Sequence, residues 1–459
     1  MVTRRPVELD LRDVAYSDPL KTINLGSRLI SSKVGLIKSI GNGIRRAQDP
    51  ATFAMGVAPS DLSQYSEILN AAKAGGGGES LEMALASTIG EAVERYCMLF
   101  YDKSTMVSGS YRELGDDAVH PELLRLYSRD QVERKGPNVR LTYFTEETKI
   151  NWVWGYSLTH KRPRLVPATL VYLQYILDDG EHSIGRNAST GLAAGATIEE
   201  AILTGLLEVV ERDAFATAWL HRRVGPRIRV DDLELQQMLK KRFFADHPSV
   251  DIQIFDITLD IPIPSVLGVM RRPAEFGPVL CVSAVTRVKP KEVIRKCLRE
   301  IGQGLSYLRF LRHQLRDWEP AADYSDLTTF DHHCTLYVKK PEMIPKAMAF
   351  VDGVTQEIAL SEIRDRSTGR ALGDIECCLD ILKELDKEVI VVDITTEDIL
   401  DVGLRVVRVL IPGLTPMHGN HNFPYLGVKR LFEIPFKLDW QKSGWDPEAG
   451  LNPYPHPFP

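Results

Sequence analysis

The stretches SLEMALASTIGEAVERY (residues 80–96) and TIEEAILTGLLEVVERDAF (residues 197–215) decide the fold of this chain. In both, apolar residues recur three and four positions apart, which is the spacing of one face of an α-helix. The two stretches also share the pattern A-x6-E-x2-E-R at one constant offset, which indicates a duplicated helix. The matched positions are Ala84, Glu91, Glu94 and Arg95 in the first helix, and Ala201, Glu208, Glu211 and Arg212 in the second.

A third predicted helix, KEVIRKCLREIGQGLSYLRFL (residues 291–311), carries a weaker version of this pattern. Val293 stands in the Ala position, and Glu300 and Gln303 stand in the two Glu positions. Residues three apart lie on the same side of a helix, so each pair directs two side-chain oxygens toward one point. The three helices therefore present oxygen-bearing pairs, and two of them can supply four carboxylates.

Such a concentration of negative charge favours a bound cation. Mg²⁺ prefers oxygen ligands and completes its shell with water and phosphates, so these helices are predicted to hold Mg²⁺ against a nucleoside triphosphate. Two Gly-rich segments, GGGG (75–78) and STGLAAGAT (189–197), lead into the first two helices, where backbone N–H groups and the helix dipole favour phosphate. Neither is followed by Gly-Lys-Ser/Thr, which excludes a P-loop.

The spacing alone allows a second interpretation. Glu91 with Arg95, and Glu208 with Arg212, are also placed for i,i+4 ion pairs on a helix surface. Duplicated helices in a pseudo-symmetric core could keep such pairs for packing alone. The repetition favours a binding site without deciding between the two interpretations.

The rest of the chain predicts a mixed α/β fold. In the first seventy residues, INLGSRLI (23–30), VGLIKSI (34–40) and ATFAMGVA (51–58) are typical of strands in an opening lobe. Alternating apolar runs over 250–288 predict further strands. Near the C-terminus, a strand, helix, strand unit over 388–413 is predicted to share one sheet.

Composition excludes several classes of protein. The 459 residues carry a formal net charge of only -6 without a basic stripe, which argues against a nucleic-acid partner. No apolar run is long enough for a membrane span, and we expect the chain in the cytoplasm. The six cysteines fit neither a disulfide framework nor a Cys-x-x-Cys metal site, so reduced structural thiols are expected.

The three helical stretches, taken in order and followed by IPGL (411–414), resemble the ATP-site helices of the YcaO family. The resemblance implies a YcaO fold with pseudo-symmetric sheet and helix lobes around bound ATP and Mg²⁺. It further implies an opening lobe over 1–70, a catalytic domain over 71–450 and a Pro-rich tail over 451–459.

The resemblance also implies the site residues. Mg²⁺ ligands are Glu91, Glu94, Glu208 and Glu211. Nucleotide contacts are those same four residues with Ser189, Glu200, Arg212, Arg299 and Gln303. The sequence departs at Ala193 and Ala196, where some members have Ser and Asn, so backbone N–H groups or Ser189 and Thr190 are expected to replace those contacts.

The ending Pro455-His456-Pro457-Phe458-Pro459 gives Pro-x-Pro-x-Pro, which resembles azoline-forming YcaO members rather than those that make thioamides. A Pro-rich segment is preformed and can enter a site at low entropic cost, so Pro455, His456, Pro457 and Pro459 are predicted catalytic residues. The alternatives are a disordered tail or a ligand for an aromatic groove. For the general base, the candidates are His456, the terminal carboxylate, and then His332 or His333, with His418 and His421 expected only to shape the channel.

The implied activity is ATP-dependent cyclodehydration of Cys, Ser or Thr in a ribosomally made precursor peptide, through phosphorylation of the amide oxygen. Thioamide or amidine formation, and a non-catalytic nucleotide-binding scaffold, remain as alternatives. The implied partners are the precursor peptide, a separate leader-peptide-binding protein, a flavin-dependent azoline dehydrogenase and a second copy of the chain as a homodimer.

Overall fold

The computed structural model describes residues 8–61, 74–135, 139–185, 188–446 and 449–458. It is a mixed α/β structure, as predicted. The strands are β1 Ile37–Asn42, β2 Phe53–Pro59, β3 Gly75–Gly78, β4 Val107–Gly109, β5 Ile150–Ser157, β6 Arg162–Pro167, β7 Leu192–Gly195, β8 Arg227–Arg229, β9 Asp251–Asp256, β10 Ser265–Ala274, β11 Gly277–Thr286, β12 Glu357–Ala359, β13 Ile390–Asp393 and β14 Arg405–Leu410.

The helices include the three that carry the repeated pattern: α2, α7 and α9. The helices are α1 Pro19–Gly26, α2 Leu81–Cys97, α3 Tyr111–Leu114, α4 Pro121–Leu124, α5 Arg129–Glu133, α6 Ala168–Val171, α7 Ile198–Leu220, α8 Leu233–Phe243, α9 Pro290–Gln314, α10 Phe330–Lys339, α11 Ile344–Ala347, α12 Ala349–Asp352, α13 Ala371–Glu384, α14 Glu397–Val402 and α15 Lys429–Lys437.

The strands of the described ranges form three sheets. A small sheet has the order β1-β2-β3, and a second has the order β11-β10-β9-β8-β12. The third has the order β4-β5-β13-β14-β7, with β6 paired to β5. Strands β13 and β14 are antiparallel neighbours, so the strand, helix, strand unit predicted near the C-terminus does share one sheet.

Each of the three patterned helices follows a strand of a different sheet: β3 precedes α2, β7 precedes α7 and β11 precedes α9. Their N-cap residues lie at one position of the repeat, and the first patterned Glu follows each N-cap by eleven residues. The pairs are Ser80 with Glu91, Thr197 with Glu208, and Lys289 with Glu300. The sequence repeat is therefore a repeated strand and helix unit.

The prediction of a strand at INLGSRLI (23–30) is wrong, because residues 23–26 belong to helix α1 and Ser27–Leu29 form a 3₁₀ helix. Asp18 caps this helix by accepting from Leu20 N, and a proline occupies the first helical position, where its fixed φ suits a helix. These start signals outweigh the short apolar run. The two later segments form β1 and β2 as predicted.

The small sheet joins β1 and β2 to β3, which lies beyond the proposed boundary at residues 70 and 71. The division into lobe, domain and tail stays a prediction. Within the described ranges, no helix is long and apolar enough to cross a membrane. All six cysteines are free thiols, and five of them are buried, as expected for structural residues.

Candidate functional site

The glycine run 75–78 is strand β3, so the prediction of a loop at this position is wrong, whereas its contact with phosphate stays a prediction. Its backbone pairs with β2 along its whole length. A Cβ on Gly76 would lie 2.4 Å from the backbone nitrogen of Thr88, and a Cβ on Gly77 would lie 2.6 Å from Oε1 of Gln303. The glycines thus allow β3 to lie directly against α2 and α9, which brings the patterned faces of these two helices together.

The second Gly-rich segment contains strand β7, Leu192–Gly195, which pairs with β14. Ala193 and Ala196 are both buried, so a small apolar residue suits each position. Ser189 and Thr190 lie in the turn that precedes β7, with Thr190 buried and Ser189 half-buried. This turn is the part of the segment that remains a candidate for nucleotide contacts.

The acid pair of α2 contacts Arg95 and strand β3 of the small sheet. Arg95 Nη2 lies 3.2 Å from Glu91 Oε1, and its Nη1 lies 4.0 Å from Glu94 Oε1. The other oxygen of Glu91 accepts a hydrogen bond from Gly75 N at 3.1 Å. The predicted i,i+4 ion pair does form, but on side chains that are 20% and 30% exposed, facing the protein.

The acid pair of α7 repeats this arrangement. Arg212 Nη2 lies 3.4 Å from Glu208 Oε1 and 3.6 Å from Glu211 Oε1. Glu211 is 2% exposed and accepts a hydrogen bond from Thr286 N, the last residue of β11, at 3.0 Å. The repeat therefore produces two glutamates held by one arginine in each helix.

The two acid pairs face each other. Burial raises the pKa of Glu94 well above its usual range, Arg95 opposes the rise, and the nearby charges of Glu208 and Glu91 add to it. Glu94 comes from α2 and Glu208 from α7, so carboxylates of two helices share one region. A buried cluster of like charges favours a cation that would neutralise it.

The third helix brings its own acid to the same cluster. Burial opposes ionisation of Glu300, but Lys296, Ser283 and Arg212 outweigh burial and lower its pKa. Lys296 Nζ lies 2.8 Å from Glu300 and 4.0 Å from Glu211. Three helices therefore meet at their patterned positions, which is the arrangement that the repeat implied.

Two predicted nucleotide contacts lie at the edges of this cluster. Arg299 is largely buried, with Nη1 4.0 Å from the sulfur of Met83 in the first turn of α2. Glu200 lies about two turns before Glu208 on α7 and accepts a hydrogen bond from Ser17 N at 2.5 Å. Glu200 is therefore hydrogen-bonded to the N-terminal segment and not to the acid pairs.

Arg408, on β14, is a residue that the sequence analysis missed. It is 1% exposed, and its Nη2 donates to Ala188 O at 2.7 Å. Its Nε and Nη1 have no hydrogen-bond partner in the described part of the chain. Burial lowers its pKa to about 10, while the charges of Glu208 and Glu94 oppose this shift. The signal was the second of two arginines, Arg405 and Arg408, inside the otherwise apolar run LRVVRVLIPG.

The C-terminal tail is docked, so the alternative of a disordered tail is wrong over 452–458; Pro459 lies outside the described residues. Four consecutive carbonyls of the tail accept from four side chains of α7 and α10. The donors are Trp219 Nε1 to Tyr454 O at 3.0 Å, Tyr337 OH to Pro455 O, His333 Nδ1 to His456 O at 3.1 Å, and Cys334 Sγ to Pro457 O at 3.8 Å. We call this set the tail clamp.

Of the candidate histidines, His418, His421 and His456 surround His333 with ring centroids 6.2, 5.9 and 4.0 Å away, whereas His332 lies apart. His332 stacks on Trp318 at 4.6 Å instead of meeting the tail. His456 is buried, stacks on His333 with ring centroids 4.0 Å apart, and donates from Nε2 to His418 O at 2.9 Å. Burial lowers the pKa of His456 to about 4, so this ring is neutral at physiological pH.

The residues fit a magnesium–phosphate ligand better than a bare metal ion. In the described ranges, no group of three or more His, Cys, Asp or Glu side chains is assembled closely enough to hold a metal by itself. Glu94 and Glu208 favour a cation, whereas the unpartnered donors of Arg408 beside them favour an anion. Mg²⁺ with a phosphate group would satisfy both, and Mg²⁺ commonly takes only one or two carboxylates together with substrate phosphates.

A family model described as YcaO cyclodehydratase, ATP- and Mg²⁺-binding, matches residues 75–415, a span that includes all three patterned helices and β14. The chain belongs to the YcaO family. The resemblance drawn from the helices is confirmed, and ATP and Mg²⁺ are the cofactors of this family.

Several solved structures share the fold of this chain. A heterocyclase in complex with substrate and cofactor is 25% identical, with a TM-score of 0.78 over 98% of this chain, which spans 59% of the length of that heterocyclase. The YcaO protein of Methanopyrus kandleri, bound with AMPPCP and Mg²⁺, is 19% identical, with a TM-score of 0.59, and the match covers 90% of this chain and 95% of that one. A chain of the E. coli microcin synthetase McbBCD complex is 16% identical, with a TM-score of 0.62, and covers 97% and 100%.

Proposed function

We propose that this YcaO chain uses ATP and Mg²⁺ to cyclise Cys, Ser or Thr residues of a ribosomally made precursor peptide to thiazolines or oxazolines. The proposal rests on the observation that one side chain, Arg212, contacts both the docked tail and the acid cluster. The ring of Phe458 lies 4.4 Å from the guanidinium carbon of Arg212, which also contacts Glu208 and Glu211. The similarity to a heterocyclase solved with its substrate supports the same reaction class.

The reaction begins with a nucleophile that the substrate supplies. Its thiol or hydroxyl loses a proton and attacks the carbonyl carbon of the preceding residue. The former carbonyl oxygen then attacks the γ-phosphorus of ATP, and the bond to ADP breaks as the new O–P bond forms. The amide nitrogen loses its proton, a C=N bond forms, and the oxygen leaves with inorganic phosphate. The peptide has lost the elements of one water.

Glu91, Glu94, Glu208 and Glu211 are the proposed set of Mg²⁺ ligands, from which an ion would take one or two carboxylates together with the phosphates. When bound, Mg²⁺ neutralises charge on the phosphates. Arg212 contacts Glu208 and Glu211, and we propose that it orients these glutamates and brings a positive charge near the phosphates. Phosphoryl transfer depends mainly on positioning and charge neutralisation, so these groups account for much of the expected catalysis.

The nucleotide contacts that we propose outside the acid pairs are Ser189, Glu200, Arg299 and Gln303. Arg299 and Gln303 lie on α9, with Gln303 against β3 and Arg299 against the first turn of α2. Ser189 and Glu200 lie in the turn before β7 and the first turn of α7. Glu200 lies toward the N-terminus of α7 from its acid pair, whereas Arg299 and Gln303 lie beside Glu300 on α9, so we expect the nucleotide to extend from the acid cluster along both helices.

The tail residues Pro455, His456, Pro457 and Pro459 are proposed to form the peptide side of the site. His456 uses its Nε2–H to hold His418 O, and its lowered pKa keeps it unprotonated, so it is available only as a weak base. The terminal carboxylate is the other candidate base of the tail. Both would be placed by the same four clamp donors.

We further propose that the precursor peptide is delivered by a separate leader-peptide-binding protein, that the chain acts as a homodimer, and that a flavin-dependent dehydrogenase oxidises the azolines in some products. The similarity to a chain of the McbBCD complex, which has also been solved with pro-MccB17 bound, supports a multi-protein assembly that acts on a peptide.

Mass spectrometry of a treated peptide tests the proposal. The full chain, with and without its partner protein, is incubated with ATP, Mg²⁺ and a candidate precursor rich in Cys, Ser and Thr. Loss of one water per ring that requires ATP, and that disappears in Glu208→Gln but not in Glu376→Gln, an exposed position on α13, is the expected result. Exchange of oxygen for sulfur would establish thioamide formation instead, and an unchanged mass despite nucleotide binding would favour a scaffold.

A further inference from the structure

Arg408 occupies a rigid position in the interior of a sheet. Strand β14 runs between β13 and β7, and Arg408 pairs in register with Val392 on one side and Leu192 on the other. Its Nη2 donates to Ala188 O in the turn before β7. The backbone and one end of the guanidinium are therefore fixed, and the remaining donors are held in a defined direction.

The remaining donors of this side chain are buried without a partner. Nε and Nη1 make no hydrogen bond in the described part of the chain, although the residue is only 1% exposed. A buried charged donor without a partner is costly, and such groups in native proteins commonly mark a site that a ligand completes. Because a guanidinium only donates, the missing partner must be an acceptor.

The nearest carboxylates already have arginine partners of their own. Glu208 lies 3.4 Å from Arg212, and Glu94 lies 4.0 Å from Arg95. The charges of both glutamates act on Arg408, but neither forms a hydrogen bond with it. Arg408, whose Nε and Nη1 lack a partner, therefore lies beside glutamates that favour a metal ion. A metal–phosphate group requires this order of charges, with acid, metal, phosphate and arginine in turn.

We propose that Arg408 binds the phosphate groups of the nucleotide, donating from Nε and Nη1 to phosphoryl oxygens on the side opposite the Mg²⁺ ligands. This inference rests on the proposed function, because it assumes ATP at the acid cluster. A guanidinium presents its donors in a planar fork that matches two phosphate oxygens, and a lysine cannot reproduce that geometry. During transfer the same donors stabilise charge on the phosphoryl group and on the phosphate that leaves the peptide.

The test compares nucleotide binding in three variants, measured calorimetrically with Mg²⁺ and AMPPCP in the absence of peptide. Arg408→Gln and Arg408→Lys change the proposed contact, and Arg405→Gln is the matched control on the same strand. The Arg405 side chain is 37% exposed and lies 3.9 Å from Asp393. We expect Arg408→Gln to weaken binding by about 10- to 100-fold, Arg408→Lys by a smaller factor, and Arg405→Gln by less than about twofold.

An opposite result identifies the competing role. If Arg408 serves only as a counter-ion for Glu94 and Glu208, its removal leaves more negative charge beside the cation, so Mg²⁺ and AMPPCP would bind as tightly as in the wild type or more tightly. That outcome overturns the proposal. Thermal unfolding without ligand shows whether each variant is folded; if Arg408→Gln is not, Arg408→Lys, which can still donate to Ala188 O, decides the question by the same comparison.

A measurement of peptide cyclisation distinguishes failure of this inference from failure of the proposed function. If the wild type binds AMPPCP and the Arg408 variants do not, the phosphate contact stands even when no peptide is cyclised, and only the assigned reaction fails. If peptide is cyclised and Arg408→Lys keeps wild-type kcat and wild-type affinity for the nucleotide, the reaction stands and the role of Arg408 is refuted.

Discussion

The ring of Phe458 lies over the guanidinium of Arg212, with its centroid 4.4 Å from Cζ. The same ring packs against Phe215, one turn further along α7, at 4.8 Å. Arg212 in turn lies within 4 Å of both glutamates of the α7 acid pair. The end of the tail and the proposed Mg²⁺ ligands therefore share one side chain, so a change in the tail is expected to act on the nucleotide site.

Replacement of Phe458 tests this connection. Phe458→Ala removes the cation–π contact and is expected to lower kcat by roughly three- to thirtyfold, since such contacts contribute about 0.5–2 kcal/mol. Phe458→Leu keeps the apolar bulk without the aromatic face, so its kcat should lie between those of the wild type and Phe458→Ala. Phe436→Ala, at a ring on α15 that is 52% exposed, is the control and should leave kcat unchanged. Equal rates for Phe458→Ala and the wild type would show that Arg212 does not need the tail.

Because three donors of the tail clamp lie on α10, we expect this helix to affect catalysis only by holding the tail. Tyr337→Phe removes the hydroxyl that donates to Pro455 O and should destabilise the docked tail by about 0.5–1.5 kcal/mol. In steady-state assays its kcat should fall, whereas in a chain that ends at residue 453 the same substitution should have no further effect. An equal loss of kcat in both backgrounds would assign Tyr337 a role independent of the tail.

The buried His456 predicts the pH dependence of tail docking. Its folded pKa is lowered to about 4 by burial, which the hydrogen bond to His418 O opposes and the charges of His421 and Arg212 reinforce. Because the undocked ring binds a proton more readily, docking is strongest above the ordinary His pKa of about 6.5 and weakens as the pH falls toward 4. His456→Gln should flatten this dependence when protease cleavage of the tail is followed between pH 4 and pH 8. A profile that His456→Gln leaves unchanged would attribute the effect to another group.

The helices and their register could be predicted from the sequence because both depend on local spacing. A period of 3.6 residues places the two glutamates of each pair on one face, and the constant offset between the copies carries this face from α2 to α7. The structure keeps the same eleven-residue spacing from N-cap to first Glu in both, and in α9 as well. The convergence of the two acid pairs with Glu300 of α9 followed from that repetition.

Contacts between distant segments could not be predicted in the same way. A run of four glycines is typical of a loop, and only its pairing with β2 and its contact with α2 and α9 make it a strand. Arg408 resembles any arginine on a strand until its burial and its missing partners are known. The sequence offered His332 and His333 only as the last candidates for the general base, and it could not indicate that His333 donates to the tail or that His332 stacks on a tryptophan.

A buried acid that binds a ligand is expected to lower the stability of the folded protein when the ligand is absent. Glu94→Gln removes a carboxylate whose ionisation burial disfavours, so the ligand-free variant is expected to unfold at a higher temperature than the wild type. The additional stabilisation by Mg²⁺ and AMPPCP should shrink, because one proposed ligand is lost. Glu376→Gln should change neither quantity. A lower unfolding temperature with the full ligand response retained would contradict both the charge argument and the metal role of Glu94.

Gly76 in strand β3 and Gly90 in the adjacent helix α2 differ in the space available to an added methyl group, so Gly90→Ala serves as a control for Gly76→Ala. At Gly76 the new Cβ would lie 2.4 Å from the backbone nitrogen of Thr88, so Gly76→Ala must push β3 away from α2 and should cost roughly 1–3 kcal/mol. At Gly90, inside α2, nothing lies within 4 Å, and Gly90→Ala should stabilise the chain by about 0.5–1 kcal/mol through helix propensity. Denaturant unfolding measures both changes. Because β3 also sets the distance between α2 and α9, only Gly76→Ala should weaken binding of AMPPCP with Mg²⁺; if the two variants bind it equally well, close packing of β3 is not what holds the acid pairs together.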